Sequence, residues 1–265
     1  MSLLLLSTFL IATLLFLVGS KLARHRSTGI GFLLQCALGG VIALPGILFA
    51  AYYLRVFGEP VWLYQFRSLP NTELTAGGSG LLAGLLHGRS SGSQRFQRLA
   101  GRWFFPGMLA MGLLVPYLKP LLRPPQWSQF HDRWSDGVCL QSTESSCGPA
   151  CAATLLRLLG QTTTEEQIAR ESLTSRSGTE NWYLARTLRR HGARVEFVSI
   201  TAPWPFPAIA GVRLPDSGNA GHFITILGRS DDNYIVGDPL EGRRIQSPDD
   251  LRDSYVFTGF FLVVQ

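Results

Sequence analysis

The chain contains no G-x-x-x-x-G-K-[ST] sequence, so its 265 residues hold no P-loop for a nucleotide. It has no C-x2-C pair either. Of its four cysteines, Cys36 lies in an apolar run, and Cys139, Cys147 and Cys151 follow a C-x7-C-x3-C spacing. Zinc sites repeat short Cys or His pairs, and this spacing does not. Acidic residues are scarce: 18 Asp and Glu stand against 24 Lys and Arg, for a net charge of +6. A basic excess suits nucleic acid when it is clustered beside a recognisable module. No such module is present, and many of the basic residues flank apolar segments, which points to membrane-flanking charge instead. Internal repeats and low-complexity tracts are also missing.

Hydrophobic residues make up 46% of the chain and are unevenly spread. Residues 1–122 read as a transmembrane region, with spans near 3–18, 29–54 and 103–122. A cleaved signal peptide has its positive charge before the apolar stretch. Here Lys21, Arg24, His25 and Arg26 come after it, so the first segment reads as an uncleaved anchor. The second contains no charged residue before Arg55 and is long enough to cross a bilayer. The third is framed by Trp103 and Tyr117 as interfacial anchors. The glycine-rich stretch 74–86 reads as a re-entrant segment, a packed loop or a fourth span. The count decides orientation. Three spans place the C-terminal half inside and leave Arg89, Arg95, Arg98 and Arg102 on the wrong side. Four spans place that half outside.

Residues 123–135, opened by Pro124-Pro125, read as a linker. Residues 136–265 read as an α+β domain, with helices first and an antiparallel sheet after. The pattern predicts helices over 147–159, 164–171 and 181–191. It predicts strands over 194–200, 208–213, 222–227, 234–236 and 257–264.

Four residues of this half bear on chemistry. Cys147 opens a helix, where the N-terminus favours a thiolate. Gly148 leaves room for a substrate backbone to approach. Gln141, six residues upstream, can donate its amide to the oxygen of a tetrahedral intermediate, with the Cys147 N–H as second donor. His222 opens a strand and is the candidate base. Asp238 lies opposite it across a hairpin, placed to accept the imidazole Nδ1–H. Asp216 and Asn219 are weaker alternatives to Asp238. The remaining histidines, His25, His87, His131 and His191, have ordinary placements.

The block Gln141-Ser-Thr-Glu-Ser-Ser-Cys147-Gly-Pro-Ala-Cys151, with Gly178-Thr179, His222-Phe-Ile-Thr-Ile and Asp238-Pro-Leu-Glu-Gly242, resembles the papain-like cysteine peptidases that process double-glycine leader peptides. In bacteria these are often the N-terminal domains of bacteriocin exporters. The resemblance covers residues 136–265. It implies a papain-like fold in which Cys147 is nucleophile, His222 general base, Asp238 orienter and Gln141 oxyanion donor. It implies peptide hydrolysis through a thioester acyl-enzyme, with no metal or organic cofactor. Family members often carry Asp where this chain has Ser146. The expected protein is a stand-alone cysteine endopeptidase anchored in a bacterial cell membrane. Its expected partners are a peptide or protein substrate, membrane lipid and a separate export machine, with no nucleic acid. Two other readings remain open: a non-catalytic module that binds leader peptides for such a machine, and an amidase or acyltransferase using the same chemistry.

Overall fold

The computed structural model describes residues 2–24, 29–58, 60–90, 103–215 and 221–265. They form two compact units. The first comprises Met1–Gly58 and Asn71–Tyr117, the second Glu59–Pro70 and Leu118–Gln265.

The first unit contains α1 (Ser2–Arg24), α2 (Gly29–Tyr53), α4 (Glu73–Ala76), α5 (Ser79–Ser90) and most of α6 (Phe104–Leu122). α1 and α2 are long and apolar enough to cross a membrane. Many of their large apolar side chains face outward. Leu3, Leu10, Leu14, Ile30, Leu33 and Val41 are all more than 60% exposed, a surface suited to lipid rather than water. The glycine-rich stretch is helical. A Cβ on Gly80, Gly84 or Gly88 would strike the backbone carbonyl of Ala12, Phe16 or Ser20 at 2.0, 2.1 and 2.4 Å. Both sets of positions rise together, so α5 runs parallel to α1 in a small-residue contact of the kind membrane helices use. Against α2 the order reverses: Gly46 meets Ser79, and Gly39 meets Leu85.

The second unit is α+β. It contains α3 (Val61–Arg67), the pair β1 (Arg133–Ser135) and β2 (Val138–Leu140), then α7 (Cys147–Leu158), α8 (Glu165–Glu171) and α9 (Asn181–Arg190). β3 (Val195–Ser199), β4 (Ala208–Arg213), β5 (Gly221–Ser230), β6 (Asn233–Asp238), β7 (Gly242–Gln246) and β8 (Val256–Val264) follow, with α10 (Pro248–Ser254) before the last strand. The six strands form one antiparallel sheet in the order β3-β8-β4-β5-β6-β7. Alternation places Ala208, Ala210, Val212, Ile224, Ile226 and Val236 in one fully buried cluster, which Leu251 of α10 and Tyr255 help to close.

α3 lies within the stretch that sequence assigns to the transmembrane region, yet its packing belongs to this second unit. Tyr64 sits among the rings of Trp182, Phe197 and Phe260, with centroids 5.4–6.1 Å apart. The Arg67 guanidinium stacks 3.9 Å over Trp182. Arg186 donates to the Arg67 carbonyl and Arg189 to that of Ser68, at 2.5 and 2.7 Å. The Phe197 N–H donates to Gln65 Oε1 at 3.0 Å. Truncating a buried aromatic costs about 3–5 kcal/mol. Tyr64→Ala is therefore expected to destabilise the second unit by about that amount, read as a lower denaturant midpoint by tryptophan fluorescence. A loss under about 1 kcal/mol would mean that α3 is only loosely applied.

Candidate active site

The helix N-terminus, the hairpin and the loop before the helix converge on one point. α7 begins at Cys147, and Pro149 lies in its first turn, where the missing N–H leaves no bond unmade. Cys151 lies one turn on, on the same helix face. Its thiol donates to the Phe223 carbonyl of β5 at 3.3 Å. Cys147 acts electrostatically on His222, the residue next to Phe223. Gly148 serves packing. A Cβ there would meet Leu184 Cδ1 at 2.9 Å and Phe223 Cδ2 at 3.3 Å. The missing side chain lets α7 pack against α9 and β5.

Thr225 pairs with Gly237 across the β5–β6 hairpin, so His222 is level with position 240. The even offset keeps Asp238 on the same sheet face as His222. The two meet at 3.0 Å, both buried. The nitrogen at Asp238 is Nε2, not the Nδ1 anticipated from sequence. The hairpin register fixes which residues meet, but the ring rotamer selects the nitrogen. Asp216 and Asn219 lie outside the described residues.

Asp238 is held on both oxygens. Oδ1 accepts from His222 and from the Leu240 N–H at 2.8 Å, and Oδ2 accepts from the Tyr255 hydroxyl at 2.6 Å. α10 delivers that tyrosine. Ser247 and Asp250 form a capping box, Leu251 anchors the helix in the core, and Tyr255 follows as its C-cap. Burial alone would raise the Asp238 carboxyl. The bonds from His222 and Tyr255, the charge of His222 and the Leu240 N–H hold it below its ordinary range. Burial likewise pulls His222 down, but its bond to Asp238, its interaction with Cys147 and the charges of both reverse this and set its pKa at about 9. The pair is thus organised to keep an imidazolium beside the Cys147 sulfur.

The loop 141–146 is stitched from within. Gln141 Nε2 donates to the Thr143 carbonyl at 2.9 Å, and its Oε1 is buried without a hydrogen bond. A primary amide has two N–H donors, so one remains for an oxyanion. Ser146 Oγ donates to the Thr143 carbonyl and accepts from the Thr143 N–H, each at 2.9 Å. The buried Glu165 carboxylate accepts from the N–H and the hydroxyl of Ser142. Burial raises the Glu165 pKa, against the opposing pull of these hydroxyl and amide bonds. Beside Gln141 opens a cleft of about 780 Å³, lined also by Gln129, His131, Arg133, Glu144 and Leu240. Cys139 and Cys151 are free, buried thiols whose pKa values burial pushes up. His191, at the end of α9, pairs with Glu171 at 2.9 Å.

Tyr255 and Glu165 were not recognised in the sequence as site residues. The Ser247-Pro-Asp-Asp250 box was a local signal for α10, but nothing local links Tyr255 to Asp238. Tyr255→Phe would leave Asp238 Oδ2 buried without that donor, at a cost of about 1–3 kcal/mol. It would also let the Asp238 pKa rise. A depressed carboxyl contributes stability above its ordinary pKa of 3.8, and loses it as pH falls through the folded value. The acid unfolding transition of Tyr255→Phe is therefore expected at higher pH than the parent's, measured by circular dichroism. An unmoved transition would show that the hydroxyl does not support the carboxylate.

Residues 136–265 match the Peptidase C39 family. An uncharacterized protein of Methanothermobacter marburgensis is 35% identical over 136 residues, covering 48% of this chain and 87% of the relative. A second, from Methanothermobacter thermautotrophicus, is 32% identical over 133 residues, again 48% and 87%. Among solved structures, the peptidase domain of Streptococcus ComA, a bi-functional ABC transporter involved in a quorum sensing pathway, is 18% identical. It covers 47% of this chain and 94% of that domain, with a TM-score of 0.41. A double glycine motif protease from an AMS/PCAT transporter, solved with its leader peptide, is 20% identical, covering 52% and 94%, with a TM-score of 0.42. On the motif of its C-terminal half and the extent of these matches, the chain belongs to the peptidase C39 family.

Proposed function

We propose that this protein is a membrane-anchored cysteine endopeptidase that cleaves a peptide or protein substrate, with a leader peptide as the favoured class. The observation that carries the reading is the buried Cys147–His222–Asp238 series at the start of α7. His222 takes the Cys147 proton, and the thiolate attacks the scissile carbonyl. The resulting oxyanion is held by the Cys147 N–H and the free amide N–H of Gln141. Collapse breaks the C–N bond, His222 returns the proton to the departing amine, and a thioester remains on Cys147. Water, deprotonated by His222, then releases the acid and restores the thiol. Asp238 orients the ring throughout and carries no proton in the cycle. The 780 Å³ cleft beside Gln141 is large enough for several residues of an extended peptide. The leader-peptide class rests on the family membership and on the leader bound to the related double-glycine protease. Membrane anchoring rests on the length and exposed apolar surface of α1 and α2.

The test uses the full chain, because a fragment starting at the linker would leave Trp182, Phe197 and Phe260 without their α3 cover. The alkylation rate of Cys147 is followed against pH by mass spectrometry, in the parent and in His222→Ala. Fast alkylation that persists well below the ordinary thiol pKa of about 8.5 and is lost in His222→Ala supports the coupled pair. A profile indifferent to His222 removes the catalytic reading and leaves the leader-peptide-binding module. With the pair established, an acyl-enzyme mass shift on Cys147 after mixing with a double-glycine leader peptide separates the peptidase from an amidase.

A further inference from the structure

We infer that the peptidase unit faces the extracytoplasmic side of the membrane, so that its substrate is a polypeptide already delivered across the bilayer by a separate translocation reaction. This rests on the membrane reading above. The argument uses chain reach, helix direction and charge.

α3 is built into the peptidase unit by Tyr64, Gln65, Arg67 and Ser68. The chain reaches that segment from α2, which ends at Tyr53, through only residues 54–60. Seven residues extend at most about 25 Å, short of a hydrocarbon core of about 30 Å. If α2 spans, its C-terminal end and the peptidase unit share one side.

The helix directions then assign the other connections. α5 runs parallel to α1 and antiparallel to α2. The C-terminal ends of α1 and α5 therefore both point to the side opposite the peptidase. Lys21 and Arg24 close α1, and the connection to α2 adds Arg26. Arg89 lies in the last turn of α5, and the sequence before α6 adds Arg95, Arg98 and Arg102. That side gathers seven Lys and Arg residues. The connection from α2 through α3 to α4 carries only Arg55 and Arg67, with Arg67 buried in the peptidase unit. Short loops rich in Lys and Arg stay in the cytoplasm. The two basic connections are thus cytoplasmic, and the peptidase unit is not. The sequence left this orientation open because it could not tell whether 74–86 runs with α1, nor that 61–67 belongs to the peptidase.

The reaction that supplies the substrate must accordingly be an export step that leaves the scissile bond intact, and both products are released outside the cytoplasm.

The experiment uses the full chain in a Cys147→Ala background, where Cys139 and Cys151 are buried. One added cysteine replaces Asp232, on the exposed β5–β6 turn; another, in a separate variant, replaces Ser27 between α1 and α2. Each variant is treated with a membrane-impermeant maleimide in right-side-out and in inverted membrane vesicles. The inference expects Asp232→Cys to label at least about tenfold faster in right-side-out vesicles, and Ser27→Cys to do so in inverted ones. The opposite pattern overturns the sidedness while keeping the span. Labelling of both from one face overturns the crossing of α2. Release of the protein by alkaline carbonate removes the membrane reading itself.

Discussion

Cys147→Ala is expected to reduce hydrolysis of a cleavable peptide by on the order of 10⁶, leaving only the residual rate that binding and the oxyanion donors supply, because the nucleophile of a covalent mechanism has no substitute. The same exchange should barely disturb the fold. Alanine is the best helix former, it occupies the first position of α7, and it removes a single sulfur. Thermal unfolding should stay within a few degrees of the parent's. His222→Ala should abolish turnover as completely. The double variant should be no slower than either single one, since nucleophile and base act as a unit. Retention of full activity in Cys147→Ala would end the thiol mechanism. Loss of folded protein in both variants would make the cluster a structural one.

How far the sequence could be read depends on the range of each interaction. α8 coincides with its forecast because Thr164 caps it locally, accepting the Gln167 N–H. The forecast for β4 also holds residue for residue. The Cys147, His222 and Asp238 cluster follows from a helix start and one hairpin, both short-range features. β1 and β2 fall below the length at which alternation can be seen, and β1 lies in the stretch whose composition reads as linker. Each has three residues. β2 is held by a bond from the Cys139 N–H to Thr154 Oγ1 of α7, which no local pattern announces. β7 reads Gly-Arg-Arg-Ile-Gln, and as an edge strand it needs little apolar surface. α3 was hidden most deeply. Tyr64 finds Trp182, Phe197 and Phe260 more than a hundred residues away, on the far side of a helical segment that breaks the unit in two along the chain.

Asp238→Asn separates orientation from charge at the same site. The asparagine carbonyl still accepts from Nε2–H, so the ring keeps its place, but the negative charge that holds the imidazolium is gone. The His222 pKa is then expected to fall from about 9 toward its ordinary 6.5. In the parent, protonation of His222 stabilises the fold fully below about pH 6.5. That contribution is lost as pH rises from about 6.5 through about 9, so the Tm gap between parent and variant should be widest near pH 6 and close in alkali. Activity depends on the same proton, because the ion pair of thiolate and imidazolium is the attacking form. The alkaline limb of the kcat/KM profile should lie near pH 9 in the parent and move down in Asp238→Asn. At pH 8 the variant should be slower by about 10²–10⁴. An alkaline limb that stays in place with reduced kcat would assign Asp238 to geometry alone. An unchanged profile with unchanged kcat would remove it from the mechanism.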